Sequence, residues 1–155
     1  MAPRSDAPNL TRAERLKPEL VELVELLVGT WRVHGPAIEG RAEYQETNDG
    51  RLLVAYVDFV VRDSRIRVIQ HIWYDDDRNA VLARYMDTTG GEATYAWVLD
   101  GGTIRVSLDD EDSTTYFQAT LNEARSQYIG TWHYPEGTSP ETAETIIYTR
   151  VDGTD

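Results

Sequence analysis

The chain has 155 residues, no cysteine and a formal net charge of −12 at pH 7. That length allows one domain with a sizeable core, and the lack of thiols excludes disulfides, thiolate catalysis and zinc–cysteine sites. The acid excess repels nucleic-acid phosphates and anionic membranes, so neither is expected as a partner, and its plainest reading is solubility.

Residues 1–18 are polar and proline-punctuated, which predicts a mobile N-terminal arm. "TRAE" at 11–14 fits a capping box. The arm has no apolar run of the secretory kind, and no later stretch approaches a membrane span, so a cytoplasmic location is expected. Pro18 then suits the first turn of a helix. Leu20, Leu23, Val24, Leu27 and Val28 recur at helical spacing, and Glu19, Glu22 and Glu25 take the opposite face. Gly29 is a natural stop.

After Gly29 short β-rich runs alternate with turn signals. The pattern predicts strands near 30–35, 39–47, 52–61, 65–74, 80–88, 93–99, 103–109, 114–121, 126–134 and 142–151, with a tail at 152–155. The joints, such as "RDSR", "DDDRN" and "DGG", are too short for parallel crossovers. Sequential antiparallel strands make a meander. About ten of them most readily remove their edges by closing into an up-and-down barrel. The expected fold is therefore mainly β, a single antiparallel barrel with an N-terminal helix. "VGTWRV" at 28–33 and "IGTWHY" at 129–134 fall on the first and next-to-last strands. Closure brings those strands near each other, so both tryptophans are expected to plug one region of the barrel.

Gly29-Thr30-Trp31 at the start of the first strand and Arg150 on the last resemble the calycin superfamily, which includes lipocalins and fatty-acid-binding proteins. The resemblance implies a floor tryptophan packed by the last-strand arginine, with Gly29, Trp31 and Arg150 structural. More closely, the chain is similar to a bacterial family of unknown function with a lipocalin-like barrel. The carriers are "LVGTWRV" after an introductory helix, then Gly40, Ala42, Tyr44 and Glu46, a Tyr74-Asp75 turn, and Tyr85, Asp87 and Gly90. The resemblance spans about residues 19–151. The chain departs from classical lipocalins in lacking disulfides and a signal sequence.

No histidine has a partner at metal-ligand spacing, so no metal and no cofactor are expected. His34 and His133 sit an odd step from Trp31 and Trp132 and should face away from them. His71 remains the one histidine near a cavity, either as a hydrogen-bonded wall residue or as a base. "YDDDRN" reads as a solvated hairpin turn, since it lacks the glycine and terminal glutamate of a calcium loop. Aromatic residues carry the stronger signal, because Tyr and Trp join apolar area to one polar handle. Tyr95 and Trp97 share a strand face, as do Tyr128 and Trp132. Gln70 or His71, Asp58, Arg84 and Gln118 interrupt apolar strands, which a dry core avoids.

The expected function is the binding of a small apolar or amphipathic molecule, lined by His71, Trp73, Tyr95, Trp97, Tyr128 and Trp132. One alternative is a cyclase- or isomerase-type enzyme in the same cavity, using His71, Asp58, Glu46 and Arg84. The other is an interaction protein with a filled barrel. Residues 52–61 are apolar on both faces, which predicts a strand covered on its outer side by the helix or by a second subunit in a homodimer.

Overall fold

A computed structural model describes residues 17–47, 50–110, 113–134 and 145–151. Residues 1–16 of the proposed arm, with the capping sequence at 11–14, the whole of the 135–144 joint and the tail lie outside them. The described residues form one helix, α1 (Pro18–Leu27), and ten strands. These are β1 (Gly29–His34), β2 (Ile38–Thr47), β3 (Leu52–Val61), β4 (Ser64–Asp75), β5 (Ala80–Asp87), β6 (Glu92–Asp100), β7 (Thr103–Leu108), β8 (Tyr116–Leu121), β9 (Gln127–His133) and β10 (Thr145–Val151). Each pairs antiparallel with its chain neighbours, and β10 pairs with β1 to close the barrel. The predicted meander and its closure therefore hold, with strand limits displaced by a few residues at most.

Helix α1 begins at Pro18, whose ring fixes φ where a backbone N–H has no helical partner. Its apolar stripe buries Leu20, Leu23, Val24, Leu26 and Leu27. Those side chains join Trp31, Leu53, Ile72 and Val81 in one cluster. β1, β3 and β5 begin near these residues and β4 ends near them, so α1 stoppers that end of the barrel and rests against β4, β5 and β6. The helix ends because Gly29 takes φ +126, a conformation that L side chains rarely adopt.

The turn between β3 and β4 is two residues long. Arg62 and Asp63 both have positive φ, at 49 and 74. That is the left-handed pattern whose twist matches paired strands.

Strand parity, ambiguous in the sequence of β3, is settled by burial and by the cavity described below. Leu53 and Ala55 are buried inward and Val57, Phe59 and Val61 continue that face. Tyr56 and Val60 point outward and are 48% and 44% exposed. Among the described residues, neither the helix nor any other element covers these two side chains, although Val54, of the same outward parity, is only 7% exposed. Asp58, between them, is held outside by Arg65, at 2.9 and 2.6 Å.

The two Gly-Thr-Trp motifs do different work, contrary to the expectation of a shared plug. Trp31 is fully buried in the floor cluster, while Trp132 lines the cavity. Their glycines also differ. Gly29 supplies the unusual φ. Gly130 lies in extended β9 beside the Phe117 ring, and a Cβ there would sit 2.6 Å from Phe117 Cζ. The glycine makes room for that ring to lie across its backbone.

Candidate functional site

Above the floor the barrel is not filled. A cavity of about 270 Å³ remains, lined in part by residues toward the end opposite α1, such as Val33, Ile38 and Val61. Valines and isoleucines form much of its wall, among them Val57, Val68, Val106 and Ile146. By contrast the floor is packed by Trp31, Leu53 and Ile72, all with no exposed surface.

The rest of the wall is aromatic, and the rings touch in series. Tyr85 meets Tyr95 at 5.9 Å between centroids, Tyr95 meets Trp132 at 5.9 Å, and Trp132 meets Phe117 at 5.5 Å. Phe117 meets Tyr148 at 6.3 Å, Tyr148 stacks on Tyr128 at 4.4 Å, and Tyr128 meets Trp31 at 5.2 Å. These separations suit edge-to-face and offset contacts. One line of rings thus runs from the cavity wall to the floor tryptophan.

The floor end of that line is tied by polar bonds. Trp31 Nε1 donates to Leu27 O at 2.9 Å. The Arg150 guanidinium lies 4.4 Å from the Trp31 ring centre and donates to Val28 O at 2.9 Å and to Leu26 O. A cation therefore closes the C-terminal end of α1, where unpaired carbonyls gather.

At the rim, Tyr85 Oη donates to Asp87 Oδ2 at 2.5 Å. Asp87 also accepts from Thr89 Oγ1 at 2.5 Å, Thr89 N at 2.8 Å and Gly91 N at 3.0 Å. Hydrogen bonds from Thr89 and then Tyr85 hold its carboxyl down to about 2. The Tyr85–Asp87–Gly90 spacing noticed in the sequence thus builds a rim turn that anchors one wall tyrosine.

The described residues that line the cavity include no charged side chain. Burial pushes the Tyr44 hydroxyl up to about 12, and burial likewise raises Tyr128 and Tyr148. The neighbouring Tyr44 adds to the rise at Tyr128. Two polar groups stand out among the wall residues. Gln70 enters from β4. Trp97, 7% exposed, has its Nε1 buried with no hydrogen-bond partner.

Of the residues expected to line the cavity, Tyr95, Trp97, Tyr128 and Trp132 do so. His71 and Trp73 do not. Val68 and Gln70 line the cavity and Ile72 is buried on the same face, so alternation turns His71 and Trp73 outward. Trp73 lies opposite Leu82 in the β4–β5 pairing, on the outward parity, where Leu82 is buried and Trp73 half-buried. The sequence of β4 is apolar on both parities, and the bulk of Trp73 pointed to the wrong one.

The four candidate acid–base residues are not gathered at the cavity. His71, Asp58 and Arg84 are on the outer face. Asp58 is engaged by Arg65 and Arg67, and Arg84 donates to Thr94 Oγ1 at 3.1 Å and Glu92 Oε1 at 2.5 Å. Glu46 is exposed near the end of β2 that adjoins the floor. His34 and His133 face outward as expected. His34 is 3.2 Å from Thr149 Oγ1, and His133 stacks on Tyr116 at 4.6 Å. Sequence reasoning missed the aliphatic wall. Alternate valines look the same whether they face a packed core or a space.

Among the described residues there is no group of three or more His, Asp or Glu placed to hold a metal ion, and no helix long and apolar enough to cross a membrane. The sequence matches no protein-family model, and no curated protein is significantly similar to it.

Proposed function

We propose that this chain binds a small apolar or amphipathic molecule inside its barrel. The observation that carries the reading is the cavity of about 270 Å³ with its aliphatic and aromatic wall. A dry apolar cavity of about 150 Å³ already takes up one benzene ring, so this one suits a molecule of two fused rings or a medium-length chain. Burial of apolar ligand surface would contribute about 25 cal/mol per Å² before the costs of immobilisation. Kinship with lipocalin-like barrels belongs to the same proposal. The Gly29–Trp31–Arg150 arrangement supports it. An enzyme reading gains no support, because the acid–base candidates lie away from the cavity.

The test is titration of the protein with retinoids, fatty acids, polyketide-like aromatics and haem, followed by tryptophan emission and thermal midpoint. Trp97 and Trp132 are in the wall, so a bound molecule changes the emission. A saturable 1:1 response to at least one class is expected. No response from any class removes the proposal.

A further inference from the structure

We propose that Gln70 is the polar anchor of the cavity, and that the ligand presents to it a donor and an acceptor side by side, the edge of an amide or lactam. This rests on the cavity-binding reading and names the class of molecule.

Gln70 lies on the inward face of β4, on the same side as Val68 and Ile72, and lines the cavity. Its partners across the sheet are Ala55 on β3 and Tyr85 on β5. Ala55 has no polar side chain, and the Tyr85 hydroxyl gives its proton to Asp87. Val57 and Val68, paired with each other, continue the wall beside it. Among the described residues the Gln70 amide has no hydrogen-bond partner, yet it is not closed off. Gln70 is part-exposed, and because it faces inward that exposed surface meets the cavity. Trp97 Nε1 is the opposite case: it too is unpaired, but it is fully buried and out of a ligand's reach.

A side-chain amide presents a carbonyl acceptor and N–H donors on one edge. In the empty cavity water can serve both. A wholly apolar ligand would displace that water and strand both groups, which costs affinity. A ligand ketone would satisfy the N–H and leave the carbonyl unmet. A hydroxyl donates and accepts at a single atom, so it does not span the edge. A second amide does, closing a ring of two hydrogen bonds. The wall tyrosines offer one oxygen each and make no such demand. The aliphatic wall therefore admits any molecule of suitable size, and Gln70 discriminates among them by the cost of a mismatch.

Three probes of nearly equal shape separate the possibilities: 2-naphthamide, 2-acetylnaphthalene and 2-isopropenylnaphthalene. They offer Gln70 a donor with an acceptor, an acceptor alone, and neither. Calorimetry at pH 7 gives Kd values for the wild-type chain and for Gln70→Met, which keeps the length of the side chain and removes its amide. Expected is that the amide probe loses about tenfold more affinity than the alkene on this substitution, with the ketone between them. Equal losses for all three, or a ketone that loses as much as the amide, overturn the inference while leaving the cavity reading intact. Failure of all three to bind the wild-type chain overturns the cavity reading beneath it. Should Gln70→Met not fold, the side-chain amide resonances of Gln70 in the wild-type chain decide. Their protons should move downfield with 2-naphthamide relative to 2-isopropenylnaphthalene, and equal positions overturn the inference.

Discussion

Arg150 and Trp31 are register partners across the seam that closes the barrel, with the guanidinium 4.4 Å from the indole centre. The same guanidinium holds the end of α1. Strand closure, floor packing and helix docking therefore meet at one pair. Trp31→Ala should cost about 3–5 kcal/mol, the range for emptying a buried aromatic site. Arg150→Ala loses a cation–π contact worth about 0.5–2 kcal/mol and charged hydrogen bonds to the helix end. Urea unfolding measures both. Unchanged midpoints for the two variants would contradict the floor assignment.

Gly29 should tolerate no side chain. Its φ is +126, and an added Cβ would lie 2.7 Å from Arg150 Nη1. Gly29→Ala is expected to destabilise by more than about 1 kcal/mol. Gly102→Ala is the control, since a Cβ there meets nothing within 4 Å. It should stay within about 0.5 kcal/mol of wild type. Equal effects of the two substitutions would count against the geometry at Gly29.

Asp87 gives the protein an acid-side dependence. Its carboxyl is held at about 2 in the folded chain, below the ordinary carboxylate value. A depressed value means that the unfolded chain binds the proton first as pH falls. The contribution is therefore present above about pH 4 and lost as pH drops toward 2. Stability measured across that window should fall more steeply for wild type than for Asp87→Asn. Parallel curves would show that the rim turn does not hold the carboxylate.

The alkaline side belongs to the buried tyrosines. Burial raises Tyr44 to about 12, above its ordinary value near 10. Here the folded chain keeps the proton longer than the unfolded one. The contribution is present below about pH 10 and lost as pH rises through 12. Ultraviolet titration should show the phenols of Tyr44 and Tyr128 ionising only together with unfolding. Full ionisation of all nine tyrosines in a still-folded chain would contradict their burial.

The barrel was legible in the sequence because short joints leave antiparallel neighbours as the main option, and the helix because Pro18 and Gly29 bracket an apolar stripe. Part of the cavity wall was legible too, through the aromatic pairs Tyr95–Trp97 and Tyr128–Trp132. Parity failed where a strand is apolar on both faces. On β4, Ile69, His71 and Trp73 compete with Val68, Gln70 and Ile72, and only packing against α1 and the floor decides which set turns inward. A one-residue difference moves every side chain to the other face. Trp97 stood out as a ring, but its unpaired N–H depends on what lies across the strands, which no local pattern encodes.

The central claim is that a small molecule sits inside the barrel. Intermolecular nuclear Overhauser effects from bound 2-acetylnaphthalene to methyl-labelled protein test it most directly. The cavity account predicts contacts to the methyls of Val57, Val68, Val106 and Ile146, on four different strands of the wall. Contacts confined to the exposed outer residues Val60, Met86, Val98 and Ile129, or none, would contradict it.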